Sequence, residues 1–126
     1  MTLELLQAGS PDGPLIRLFE YGPGELAGLR DGCAALAVRG LAEFHLHEQS
    51  WVRAVGGVRL TLRAADRDRS TNRRAGTDRW FVMEYAPEGW HEVVGKVDAL
   101  RRGPDGFQWL ASDGVVPVLL SHDGRW

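Results

Sequence analysis

Leu18-Phe19-Glu20-Tyr21-Gly22-Pro23 and Val82-Met83-Glu84-Tyr85-Ala86-Pro87 are the two stretches from which the fold of this chain is read. In each, an apolar run ends in Glu-Tyr, a small residue follows, and a proline begins a segment whose apolar spacing is helical rather than strand-like. Proline suits the first helical position, because its missing amide would have had no partner there and its ring presets φ. Each stretch is therefore a strand-to-helix joint. Without a gap the match runs on through Leu26 and Trp90, Leu29 and Val93, Cys33 and Val97, Ala35 and Ala99, and Leu36 and Leu100, at a constant offset of 64 residues. The identities are few. They fall on the same boundary and the same apolar stripe, which is the pattern of two repeated halves.

Outward from the joints, Leu3, Leu5 and Leu6 form an apolar patch before the turn formers Gly9-Ser10-Pro11-Asp12-Gly13-Pro14, and read as an arm or edge strand. Residues 15–21 read as the first strand, and a helix from Pro23 to just before Arg39 turns Leu26, Leu29, Cys33 and Leu36 inward. In residues 41–48, Phe44 and Leu46 alternate with Glu43, His45 and His47, a half-buried strand with one wet face. Gly56-Gly57 reads as a hairpin turn between a short strand at 51–55 and a strand at 58–63 that points Val58, Leu60 and Leu62 in and Arg59, Thr61 and Arg63 out. Residues 80–85 are apolar on both faces and read as a central strand. The second helix begins at Pro87, buries Trp90, Val93, Val94, Val97 and Leu100, and ends at Arg101-Arg102, with Gly103 free for a left-handed cap. Strands at 107–111 and 115–120 flank Ser112-Asp113-Gly114, and Pro117 marks the last strand as an edge.

The expected fold is a single α+β domain over 1–126. Two pseudo-repeated βαββ-like halves, about 14–64 and 79–121, form a mainly antiparallel sheet with two helices on one face, joined by an arginine-rich loop at 65–78. At the level of element order alone, this arrangement resembles a glyoxalase-type tandem of βαβββ units.

Composition narrows the function classes. A 126-residue chain with 44% apolar and 25% charged residues is that of an ordinary globular domain, and a net charge of −2 gives no push toward nucleic acid or an anionic membrane. No apolar run approaches the roughly 20 residues that cross a bilayer, and the first residues lack the features of a signal peptide, so a cytoplasmic location is expected. One cysteine, Cys33, on an inner stripe excludes a disulfide scaffold and a cysteine-rich zinc site. Lys96 is the only lysine, so the abundance of arginine reflects coding bias as much as recognition.

Three constellations remain. His45 and His47, two apart on a strand, present two imidazoles to one side and are the candidate metal pair, with Glu43, Glu20, Glu84, His91 or His122 as a third ligand. Arg67, Arg69, Arg73 and Arg74, with Trp80 close by, are candidates for phosphates or an acidic partner, although Asp66, Asp68 and Asp78 interrupt them. Glu20 and Glu84, at matching positions, are a possible carboxylate pair. No serine lies in a nucleophile elbow. The expected function is a non-catalytic interaction or regulatory domain that binds a protein partner or its own copy. Its expected face carries His45, His47, Arg59 and Arg63, with Trp51 and Trp126 as aromatic anchors. No cofactor is expected. The alternatives are a metal- or small-ligand site at His45 and His47 between the halves, and nucleic-acid binding through the arginine loop.

Overall fold

The computed structural model describes residues 1–7, 14–103, 106–112 and 116–126; the turns expected at 9–13 and 113–114 lie outside them. In chain order the described elements are β1 (Thr2–Leu6), β2 (Leu15–Phe19), α1 (Pro23–Ala37), β3 (Glu43–His45), β4 (Arg53–Ala54), β5 (Arg59–Ala64), β6 (Ser70–Arg73), β7 (Trp80–Tyr85), α2 (Pro87–Arg102), β8 (Phe107–Ala111) and β9 (Val118–Ser121). The fold is α+β. The expected single, mainly antiparallel sheet is instead two mixed sheets, ordered β4-β1-β2-β9-β8 and β3-β5-β7-β6.

The reason lies in the helices. α1 follows β2 of the first sheet and delivers the chain to β3 of the second, while α2 follows β7 of the second sheet and delivers it to β8 of the first. Neighbours in sequence do pair antiparallel: β1 with β2, β6 with β7, and β8 with β9. The central pairs are parallel: Ile16 and Leu18 of β2 lie beside Val118 and Leu120 of β9, and Leu60 and Leu62 of β5 beside Phe81 and Met83 of β7. Parallel partners need a long crossover, so nothing local announces them. Two strands precede each helix, so the order is not that of βαβββ units.

Five further expectations change. β1 is an interior strand between β4 and β2. β6 lies inside the segment expected to be a loop, because its polar residues pair antiparallel with β7 from Ser70 beside Glu84 to Arg73 beside Phe81. Pro117 stands just ahead of β9 and offers its carbonyl to the Ile16 N–H at 2.9 Å, so its missing donor costs nothing and β9 sits inside the sheet. Gly56 and Gly57 do turn the chain at φ 65° and 72°, but β4 pairs with β1 rather than folding back onto β5. Gly103 is extended, at φ −137°.

The apolar stripes behave as their spacing predicts. Leu26, Leu29, Cys33 and Leu36 of α1 and Trp90, Val93, Val97 and Leu100 of α2 are all buried. Leu18 and Val118 of the first sheet meet Leu60 and Met83 of the second, with Cys33 and Trp90, around one interior gap that has no room for water. Both sheets and both helices therefore share a single core. The Trp90 indole N–H, fully buried, donates to the Arg63 carbonyl at 3.0 Å, which removes the penalty of burying it unpaired. Burial pushes the Cys33 thiol up to about 12, so it acts as a small hydrophobe rather than a nucleophile. At the start of α1 the Gly22 N–H donates to Glu25 Oε1 at 2.9 Å; at the start of α2 the Ala86 N–H donates to Asp68 Oδ1 at 2.9 Å.

Two glycines of α2 give opposite outcomes for the same substitution. A Cβ on Gly95 meets nothing, so Gly95→Ala gains helix propensity and stabilises by about 1 kcal/mol. A Cβ on Gly89 falls 2.9 Å from Tyr85 Cβ, which the backbone holds in place, and 2.7 Å from the capping Asp68 Oδ1, so Gly89→Ala destabilises by about 1–3 kcal/mol. Urea denaturation of the two variants tests the packing of the second joint, and equal shifts in the same direction would contradict it.

Candidate functional site

The outer face of the second sheet gathers the densest polar chemistry in the described residues. Register builds it. Glu43 of β3 lies beside Arg63 of β5, which lies beside Glu84 of β7; His45 lies beside Thr61; Arg59 lies beside Trp80. Successive strand residues point to opposite sides, so these residues share the face away from Leu60, Leu62, Phe81 and Met83.

The contacts form one continuous band. Glu43 accepts from Arg63 at 3.0 Å and lies 3.3 Å from His45 Nε2. Glu84 lies 3.9 Å from Arg63 and 3.4 Å from Arg69. The Thr61 hydroxyl, 2% exposed at the residue level, receives the Trp80 indole N–H at 3.0 Å and stands 3.0 Å from His45 Nδ1. His47 follows β3 in a tight turn at Leu46–Glu48 rather than on the expected strand, yet it stays on this face, with its ring edge-on to Trp80 at 5.8 Å and to His45 at 5.7 Å. Arg59 and Arg74 reach the Trp80 ring from the two chain segments beside β7, with guanidinium carbons 4.9 and 4.0 Å from its centre. Among the described residues neither guanidinium has a carboxylate within ion-pair distance.

No protein-family model, curated protein or solved structure matches this chain.

The residues singled out from sequence divide into four groups. His45, His47, Arg59, Arg63, Arg69 and Arg74 come together on this face. Arg73 lies over Phe81 at 5.5 Å, and Arg67 is exposed. Trp51 and Trp126 go elsewhere. Trp51 is half-buried, its ring closing over Gly28 of α1, because that glycine leaves a groove that only a flat ring fills. Trp126, 48% exposed, stands edge-on to Trp109 at 6.3 Å beside the other sheet. Glu20 accepts from Thr2 and faces Arg53, while Glu84 serves Arg63 and Arg69, so the two carboxylates are not a pair. Trp80, read from sequence as part of a strand apolar on both faces, is half-buried on the wet one. The available signal was Glu84, four residues on and hence on the same face, whose charge marks that face as wet.

The histidines bear directly on metal chemistry. His45 Nδ1 is engaged by Thr61, and His47 Nδ1 lies 3.1 Å from the Leu60 amide and 3.2 Å from its carbonyl. Among the described residues no three of His, Cys, Asp and Glu are gathered as a metal requires.

Burial holds the His47 imidazole below the usual histidine range, with Arg59 and His45 adding to the effect and Leu60 and Glu48 opposing it. Nδ1 of the neutral ring meets both the Leu60 N–H and the Leu60 carbonyl, and the tautomer decides which of the two it bonds. A folded-state value below the unfolded one means that the fold favours the neutral form. That contribution is complete above the ordinary histidine range and is lost as pH falls through it. Between about pH 7.5 and about pH 5, urea unfolding is expected to show a larger loss of stability in the native chain than in His47→Asn, which has no ring to protonate. Equal losses would take His47 out of the pH response.

Proposed function

We propose that this chain is a non-catalytic interaction domain that docks an acidic segment of a partner protein on the outer face of its second sheet. One observation carries the reading: two guanidiniums, Arg59 and Arg74, are held on the same indole, with their hydrogen-bonding edges committed to no carboxylate among the described residues. An arginine stacked on tryptophan is already ordered, so less entropy is lost when its planar fork meets a carboxylate. Arg63 and Arg69 extend the positive surface beyond the two carboxylates they contact.

The same charge speaks against the other partners considered. Two copies meeting through this face would oppose like charges, which favours a different protein over self-association. Glu43 and Glu84 stand in the middle of the band, where a phosphate backbone would pass, and the chain as a whole is acidic at −2. The metal reading has only two imidazoles, each with one nitrogen already engaged. We also take the two halves as products of duplication. The support is that each sheet pairs a hairpin, β1-β2 or β6-β7, in parallel with a closing strand, β9 or β5, which in turn pairs with the strand following a helix, β8 or β3.

The test is affinity purification of the native chain and of an Arg59→Ala/Arg74→Ala variant from the cells that make it, at about 0.05 M and about 0.5 M salt. The native chain is expected to recover an acidic protein at low salt, with recovery falling at least tenfold in the variant and at high salt, while the melting temperatures of the two chains agree. Recovery of the same protein by both chains, of nuclease-sensitive material alone, or of nothing by the native chain would overturn the proposal.

A further inference from the structure

A second site lies on the outer face of the first sheet, at its β8 edge. β8 pairs only with β9, which sets Phe107 beside Ser121 and Trp109 beside Leu119, and the two rings, two residues apart on the strand, share a face. The chain after β9 folds back to bring them a third ring. The buried Ser121 hydroxyl donates to the Arg125 carbonyl at 2.6 Å, and the Arg17 guanidinium, paired with Glu4, donates to the Gly124 carbonyl at 3.2 Å. Gly124 takes φ 79°, and a Cβ there would fall 2.9 Å from Arg17 Nη1, so this return of the chain is built for a glycine. Trp126 is thereby placed beside Trp109.

The three rings are open to solvent and splayed. Phe107 is 43% exposed and Trp126 48%, with Trp109 half-buried between them in the run of ring contacts. Phe107 stands at 78° to Trp109 with centres 6.4 Å apart, and Trp126 at 72° with centres 6.3 Å apart. The other edge-on pairs among the described residues are closer, at 5.5–5.8 Å. Two rings set so steeply and so far apart make a corner in which a cation stands about 4–5 Å from both centres, inside the roughly 6 Å over which a ring face holds one.

What the protein does with its other rings sets these apart. Arg17 lies over Phe19 at 4.2 Å, Arg59 and Arg74 over Trp80 at 4.9 and 4.0 Å, and Arg73 over Phe81 at 5.5 Å. Among the described residues no cation lies over Phe107, Trp109 or Trp126, although Arg125 is next to Trp126 in the chain. The kind of cation follows from what the rings lack. A phenyl ring has no hydrogen-bonding group and an indole only donates, so the corner offers no acceptor. An ammonium or guanidinium entering it would give up bonds to water without replacement. A quaternary ammonium carries methyl groups instead of N–H donors, loses no hydrogen bond, and packs its charge-bearing methyls against the ring faces.

We propose that Phe107, Trp109 and Trp126 form an aromatic corner that binds a small, free quaternary ammonium compound of the choline type. Titration of the isotope-labelled chain with choline, with its neutral isostere dimethylbutanol and with ammonium, followed by NMR, tests this directly. Choline is expected to saturate at millimolar concentrations with shifts centred on the Trp109 and Trp126 indoles, and the alcohol and ammonium to bind at least tenfold more weakly. Trp126→Ala and Phe107→Ala, both at exposed positions where the melting temperature is expected to hold, should each weaken choline about fivefold or more, with Trp126→Phe recovering part of the loss and Arg59→Ala/Arg74→Ala changing nothing. Phosphatidylcholine vesicles, which carry the same group on a lipid, are expected not to retain the chain, because the same sheet face bears the charged Glu4 and Arg17. Absence of saturation by choline, binding of the alcohol as tight as choline, shifts indifferent to both ring deletions, or retention by vesicles without saturation by free choline would overturn it. The docking face can fail its own test without touching this outcome.

Discussion

The parallel pairing of β2 with β9 and of β5 with β7 is the constraint from which the rest of the structure follows. Each pair joins the strand that enters a helix to a strand that is not its neighbour in the chain, most extremely where Ile16 and Leu18 meet Val118 and Leu120. No tight turn can make such a pair: the segment holding β6 carries the chain from β5 to β7, and β2 reaches β9 only through both helices and the whole second sheet. Both helices then lie with their stripes toward the shared interior, and the inner faces of both sheets are spent on the same core. Closing the β2–β9 contact costs loop entropy that only the completed core offsets, which ties the two ends of the chain into one cooperative unit.

With the inner faces used, chemistry is left to the outer ones, and Arg63 shows how the outer face of the second sheet is fixed to the interior. Its guanidinium spans Glu43 and Glu84 across three strands, and its carbonyl accepts the buried Trp90 indole of α2. Trp80 is held in the same way from the side: its N–H goes to Thr61, whose hydroxyl also meets His45. The proposed docking surface is therefore a set of side chains whose orientations are determined by sheet register and by the core, with little left to loop conformation.

Local periodicity made much of this legible. The proline-led joints located both helices to within a residue or two, and helical spacing picked out the buried stripes from Leu26 to Leu36 and from Trp90 to Leu100. Alternation in 58–63 put Arg59 and Arg63 on the wet side, where they are. Strand order was not legible, because a strand buried on one face shows the same alternation whichever neighbour it takes. β6 was missed because Ser70, Thr71, Asn72 and Arg73 are polar and their pairing is decided by β7 beside them. The proposed docking face was half legible: the histidines and arginines could be named, but the central position of Trp80 depends on Arg59 lying beside it across a parallel pair. The ring cluster was hidden, since Trp126 reaches Trp109 only through the fold of the chain after β9.

Magnitudes decide what kind of recognition the docking face can support. A cation over an exposed indole contributes about 0.5–1 kcal/mol, and an exposed ion pair about 0–1 kcal/mol, so no single arginine on this surface secures a partner. Several such contacts made together reach a useful affinity only if the side chains do not have to be ordered at the moment of binding. That is the effect of stacking Arg59 and Arg74 on a ring whose own N–H is anchored in the sheet. Beyond about 8–10 Å salt screens the field at physiological strength, so the proposed selectivity of the face for acidic surfaces would act at contact range and weaken as salt is raised. His47, edge-on to the same ring, adds a second control: protonation would place another positive charge beside two arginines, at a site whose burial already disfavours it. A carboxylate docked over Trp80 would relieve that cost, so partner binding and His47 protonation favour one another, and acidification that weakens the free fold would strengthen the complex.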